Sequence, residues 1–181
     1  TWVAHCVMPN HDEVHRLGAA GIGVAHCPSS NLILASGIAP VVPLRAAGVK
    51  VGLGVDGSLW LEARQAMLLA KLRDGASAGT ARMALEVATL GGAGCLGREG
   101  EIGELSVGAV GDVAVWRLTG PQFAGALADP IEAWLRCGPV AAAHTIVHGR
   151  RVVSDGHIVH RDLDDMLRRH DRESRRIQEL A

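Results

Sequence analysis

Three short, almost wholly apolar runs stand at residues 2–6, 22–26 and 49–55, and the stretches between them mix polar and apolar residues at helical spacing. Runs of this kind predict strands buried on both faces, as in a parallel sheet. The layout repeats. Val3-Ala4-His5-Cys6 returns as Val24-Ala25-His26-Cys27, and Leu17-Gly18-Ala19-Ala20-Gly21-Ile22-Gly23-Val24 is echoed by Leu44-Arg45-Ala46-Ala47-Gly48-Val49-Lys50-Val51. A helix is predicted over 11–20, opened by Asn10 and Asp12, and another over 40–47, opened by Pro40 and Pro43. Both end in Ala-Ala-Gly, where a glycine can take the left-handed conformation that closes a helix. A repeat of about 21 to 27 residues is what a strand and its crossover helix require, so the segment reads as βαβαβ.

Further helices are expected around Leu61, Leu68 and Leu72, and from the capping Thr80 to Leu90, where Gly91-Gly92 would stop the second. From Gly100 to His160 the texture changes to short β-branched runs at 112–116, 145–147 and 151–153, punctuated by glycine. His148-Gly149-Arg150 joins two of them, and Ser154-Asp155-Gly156 turns into Ile158-Val159, which predicts a small antiparallel sheet. Beyond Arg161, Leu163, Met166, Leu167, His170, Ser174 and Ile177 mark an amphipathic helix packed on the body, its charges forming a solvated face. The expected organisation is an α/β segment over 1–99, a β segment over 100–160 and a terminal helix over 161–181.

Composition narrows the functions open to such a chain. Of its 181 residues 48% are hydrophobic and 20% charged, with a formal net charge of −1. Near-neutrality argues against nucleic-acid backbone or an anionic membrane surface as partner. Four Trp, one Phe and no Tyr make no stacking platform for single strands. No apolar stretch reaches the roughly 18 residues of a membrane span, and the first residues lack the basic start of a secretory signal. Cys6, Cys27, Cys95 and Cys137 lie far apart with no CxxC, which reads as reduced thiols in a cytoplasmic protein.

In parallel α/β folds ligands collect beyond the carboxyl ends of the strands. His5, His26 and Asp56 end the three predicted strands, so three groups able to bind a metal or move a proton fall at equivalent positions of neighbouring strands. A single such histidine would more often be a satisfied core residue; three in succession favour a site. Cys27-Pro28-Ser29-Ser30-Asn31 then forms a polar loop on the same face, suited to a planar polar ligand or to an ordinary turn. Other signals carry less. Gly52-Leu53-Gly54-Val55-Asp56-Gly57 and Gly92-Ala93-Gly94-Cys95-Leu96-Gly97 fit a dinucleotide pattern, but the first holds an acid where a pyrophosphate would sit and the second follows no strand. His144 and His148 fall on a β-type run, which holds them about 13 Å apart, too far to share a metal.

Ala4-His5-Cys6, Gly23-Val24-Ala25-His26-Cys27-Pro28-Ser29-Ser30-Asn31, Gly37-Ile38-Ala39-Pro40 and Gly52-Leu53-Gly54-Val55-Asp56-Gly57-Ser58 together resemble the last three barrel strands of the amidohydrolase superfamily, in its nucleobase and triazine deaminase branch. Glu62-Ala63-Arg64-Gln65-Ala66, Ala88-Thr89-Leu90-Gly91-Gly92-Ala93, Ile102-Gly103, Gly111-Asp112 and Val147-His148-Gly149-Arg150 continue the resemblance over nearly the whole chain. Within that branch, residues 1–58 with Arg136-Cys137-Gly138-Pro139 are most similar to the members that deaminate 8-oxoguanine; members acting on guanine, adenosylhomocysteine or triazines share much of the pattern.

The resemblance implies strands 6 to 8 of a (β/α)8 barrel with a small β-sandwich, one zinc (or iron) ion, and hydrolytic loss of ammonia from a purine-type base, 8-oxoguanine giving urate. It implies Asp56 as metal ligand and proton carrier, His5 as the group that hydrogen-bonds the water or substrate, and His26, Asn31 and Ser58 as substrate or supporting residues. It also implies a nucleobase as the small-molecule partner and a homodimer or higher homo-oligomer. Two features depart from the pattern: the chain has no HxH pair, and Leu59-Trp60-Leu61 follows Gly57-Ser58 directly where a longer polar loop is usual. A lone carboxylate cannot hold catalytic zinc, which takes three protein ligands, and a complete barrel alone takes about 250 residues. The expectation is therefore the C-terminal part of a longer enzyme, its remaining ligands outside this sequence. The competing expectation is an inactive, truncated binding or assembly module.

Overall fold

The computed structural model describes residues 1–54 and 57–180. Two compact units divide the chain: Thr1–Val110 with Leu118–Val140, and Gly111–Arg117 with Ala141–Ala181. The first is α/β. Strands β1 (Trp2–Ala4), β2 (Gly23–His26) and β3 (Val51–Leu53) pair in that order, all parallel. In register, Ala4 lies opposite Ala25 and His26 opposite Leu53, so the three carboxyl ends share one edge. Helix α1 (His11–Ala19) connects the first pair and α2 (Pro28–Ile33) and α3 (Val41–Ala46) the second.

Local chemistry fixes these connections. Asn10 caps α1 through a reciprocal box: its side chain accepts from the Glu13 amide while the Glu13 carboxylate accepts from the Asn10 amide. Gly21 and Gly48 take left-handed φ values of 63° and 83° just past α1 and α3, as the Ala-Ala-Gly endings predict. The core gathers Val14 of α1, Val24 of β2, Val41 and Leu44 of α3 and Val51 of β3. Ala70 of α4 (Leu59–Asp74), Met83 of α5 (Ala81–Glu86) and Val87 complete it. Complete burial of a side chain such as Leu44 is worth about 1.5–3 kcal/mol.

Several expectations are corrected. Strand β1 stops at Ala4 because His5 and Cys6 have φ of 63° and 47°, which breaks the extended backbone. As the outer strand of the three, β1 also leaves Trp2 and Val3 exposed, where burial on both faces was expected. The polar run after His26 is helical: Pro28 starts α2, where its missing N–H leaves no bond unmade. On α4 the buried face is Glu62, Ala63, Ala66, Met67, Leu69 and Ala70, and Leu61, Leu68 and Leu72 point outward.

Gly91-Gly92 does not stop a helix. The backbone runs from α5 through a π-helical turn, Val87–Gly91, into α6 (Gly92–Leu96). These glycines let the helix lie directly on β3: a Cβ at Gly91 would stand 1.8 Å from the Val51 carbonyl oxygen, and one at Gly52 2.8 Å from the Gly92 Cα. Residues 118–140, expected in the β segment, belong to the first unit and carry α7 (Pro130–Cys137), capped by Asp129 with Pro130 in its first turn. Trp60 Nε1 donates to the Trp134 carbonyl at 2.7 Å and Arg64 to those of Leu135 and Arg136, tying α4 to the end of α7.

The second unit is a four-stranded antiparallel sheet, β4 (Val113–Trp116), β5 (Ala142–Val147), β6 (Arg150–Ser154) and β7 (His157–Ile158), in sequence order. His148-Gly149 and Asp155-Gly156, all with positive φ, make the two hairpin turns that the sequence predicts. Helix α8 (Leu163–Gln178) forms as expected but has no buried residue, a correction to its reading as packed on the body; Met166, Leu167 and Ile177 are exposed. No helix among the described residues is long and apolar enough to cross a membrane.

Candidate active site

The parallel ladder continues one residue past the ends of β1 and β3. His5 N–H donates to the Ala25 carbonyl at 2.9 Å, and Gly54 N–H donates to that of His26 at 2.8 Å. These bonds hold His5, His26 and Gly54 side by side at the carboxyl edge of the sheet. Gly54 must lack a side chain there, since a Cβ would come within 2.4 Å of Cys27 Sγ. His5 occupies left-handed backbone space, and Cys6 does so as well. Each such non-glycine residue stores on the order of 1–3 kcal/mol, which the surrounding structure must offset.

The strained turn delivers His5 Nδ1 to Asn31 Oδ1, 2.8 Å away in α2. Asn31 is 1% exposed, and its Nδ2 has no hydrogen-bond partner among the described residues. His26 is equally buried, with neither ring nitrogen bonded among the described residues. Burial foremost, and then the nearby His5, pushes the His26 pKa down from 6.5 to about 4. At neutral pH it is an uncharged imidazole. Orphaned buried polar atoms cost about 1–3 kcal/mol each unless something binds them. Three such atoms at one sheet edge mark a place built to receive a polar group.

Helix α2 is held in turn by α4. Its first turn has no side-chain cap of its own, and Ser29 N–H donates instead to Glu62 Oε2 at 3.0 Å while Ser29 Oγ donates to Gln65 Oε1 at 2.5 Å. Glu62 is 1% exposed, so this bond satisfies a buried carboxylate and an orphan helix amide together. Glu62 and Gln65 are the residues that sequence reasoning missed. The available signal was their spacing: two polar residues one turn apart among Ala63, Ala66 and Met67, on the face that is buried.

Of the residues singled out in the sequence, the structure thus brings together His5, His26 and Asn31. Asp56 lies outside the described residues. Ser58 caps α4, its hydroxyl accepting from the Leu61 amide at 3.5 Å. Among the described residues no three His, Cys, Asp or Glu side chains converge as a metal cluster. None of the four cysteines forms a disulfide, and burial together with Glu13 pushes the Cys6 thiol up, away from nucleophilic use.

Comparison with known proteins gives a consistent result. The model of the amidohydrolase family matches residues 1–152. An 8-oxoguanine deaminase of Pseudomonas aeruginosa is 46% identical over 177 residues, 94% of this chain and 39% of that protein. A 5-methylthioadenosine/S-adenosylhomocysteine deaminase of Desulforudis audaxviator is 39% identical over 182 residues, 96% of this chain and 42% of that protein. The crystal structure of an adenosine deaminase from Xanthomonas campestris with bound zinc superposes with a TM-score of 0.89 at 27% identity, covering 98% of this chain and 42% of the other. The chain spans about two fifths of the length of these relatives.

Proposed function

Because the chain belongs to the amidohydrolase family over residues 1–152, we propose that it supplies strands 6 to 8 of a (β/α)8 barrel, with the antiparallel sheet as part of a β-sandwich, in a metal-dependent deaminase of a purine-type base. The substrate we assign is 8-oxoguanine, giving urate and ammonia; the high identity to a deaminase of that name supports it. The observation that carries the reading is the edge itself. His5 and His26 stand at the ends of adjacent parallel strands, and buried nitrogens of His26 and Asn31 have no partner among the described residues.

The donors present fit a metal centre in part. His26 is uncharged, so it raises no electrostatic barrier to a cation, and its ring nitrogens have no other partner among the described residues. Asp56, just beyond β3 in the sequence, is the metal ligand we assign, with the remaining ligands contributed from outside this chain. A zinc or iron ion, when bound, lowers the pKa of water to about 7. Asp56 accepts the proton of the attacking water and passes it to the departing amine. His5 hydrogen-bonds the water or the ring as charge develops. Water oxygen adds to the amino-bearing carbon, the C–N bond breaks, and ammonia leaves as the ring carbonyl forms. His26 offers the ring its polar contacts, and Asn31 supports the site through its bond to His5.

Ammonia release by the full-length enzyme from 8-oxoguanine, guanine, isocytosine and a triazine tests this. The largest kcat/KM is expected with 8-oxoguanine. A tenfold preference for another ring would reassign the substrate, and no ammonia from any of them by metal-loaded protein would refute the reading. Trp2 and Val3, exposed on β1, favour a second reading as a docking module. It predicts a protein that binds a partner chain and releases no ammonia.

A further inference from the structure

We propose that Asn31 is a positioning residue that holds His5 as its Nδ1–H tautomer, leaving Nε2 as the only acceptor on the ring. The proposal rests on the reading above, in which His5 serves the reaction. A neutral imidazole has one N–H and one lone pair, and whichever nitrogen is bonded by a neighbour fixes the chemistry of the other. Here Asn31 Oδ1 lies 2.8 Å from His5 Nδ1. A carbonyl oxygen only accepts, so Nδ1 carries the hydrogen and Nε2 keeps the lone pair. A histidine so held can take a hydrogen bond or a proton from a water or an amine at Nε2, and cannot donate from that atom until it has been protonated there.

Three independent features converge on this contact. First, the backbone takes left-handed φ at both His5 and Cys6, an expense that an unconstrained strand end would avoid. Second, Asn31 is fixed from behind. Its helix is anchored through Ser29 to the buried Glu62 and to Gln65, and its own carbonyl accepts from the Ser36 amide at 2.9 Å. Third, His5 and Asn31 are 26 positions apart in the chain, so no local turn would create the pairing; it exists because β1 and α2 are placed to make it. Among the described residues, Glu62 and Gln65 are linked to His5 through Ser29, helix α2 and Asn31.

The test uses the full-length enzyme with its metal bound. Asn31→Leu keeps the bulk and removes the acceptor; kcat is expected to fall roughly 10- to 100-fold with KM changed less than about threefold. Asn31→Asp keeps an acceptor at the same place and should restore kcat to within about tenfold of the native value. In the native enzyme, ¹⁵N spectra of labelled histidine should show His5 protonated at Nδ1, and in Asn31→Leu that preference should be lost. An Nε2–H tautomer in the native enzyme, or native kcat in a folded, metal-loaded Asn31→Leu enzyme, would overturn the inference. Neither result would touch the deaminase reading, which falls if the metal-loaded full-length enzyme releases no ammonia from any of the rings tested.

Discussion

Removing the His26 imidazole should flatten the acid side of the protein's stability curve. His26 is 1% exposed and titrates near 4 when folded, against 6.5 when exposed. A histidine whose folded pKa is lowered holds no proton in the folded state at a pH where the unfolded chain already binds one. Its contribution is thus fully present above the unfolded pKa and is lost as pH falls from 6.5 towards 4. Between about pH 7.5 and pH 5 the unfolded chain gains roughly 1.5 pK units of proton affinity that the folded chain does not, which amounts to about 2 kcal/mol. Urea denaturation at both pH values, for the native protein and for His26→Gln, isolates the effect as a difference of differences. The native protein should lose about 2 kcal/mol more than the variant over that interval. Equal pH dependence in the two would mean that His26 is solvated or protonated in the folded state, and the reading of His26 as a buried, uncharged imidazole would have to be abandoned.

Other perturbations separate the supports of the site. Gly91→Ala would ordinarily stabilise a helix by close to 1 kcal/mol, but here the new Cβ meets the Val51 carbonyl, so thermal unfolding should show a loss of about 1–3 kcal/mol. Glu62→Ala leaves the Ser29 amide without its buried acceptor; a loss of about 1–3 kcal/mol in denaturant and a lower kcat are expected, and unchanged values for both would show that α2 needs no such anchor. Asp56→Ala in the full-length enzyme should fold, with unchanged circular dichroism, yet bind less than one metal ion per chain; full metal occupancy would remove Asp56 from the ligand set.

How much of this was legible beforehand depended on whether local or distant groups decide the outcome. The strand–helix repeat was readable because burial and capping are local: the apolar runs, Asn10 with Glu13, and the glycines after each Ala-Ala pair all act within a few residues. The hairpins at Gly149 and Gly156 were readable for the same reason. What failed to show was set by tertiary contact. Gly91-Gly92 looks like a helix stop, yet it permits a helix to lie on β3, and only the proximity of Val51 reveals that. The outward leucines of α4 mislead because its buried face combines alanines, Met67 and Leu69 with a glutamate whose partner is 33 positions away. At the site, the equivalence of His5 and His26 follows from the repeated sequence, whereas the Asn31 contact requires knowing that Pro28 starts a helix instead of a loop.

Deamination at the carboxyl edge of the sheet depends on His5. Steady-state ammonia release from 8-oxoguanine by full-length His5→Ala enzyme, with its metal content measured on the same sample, tests that claim most directly. A folded, metal-loaded protein whose kcat is down at least about 100-fold is expected, as for a lost acid–base or charge-stabilising group. A kcat within threefold of the native enzyme at full metal occupancy would contradict it.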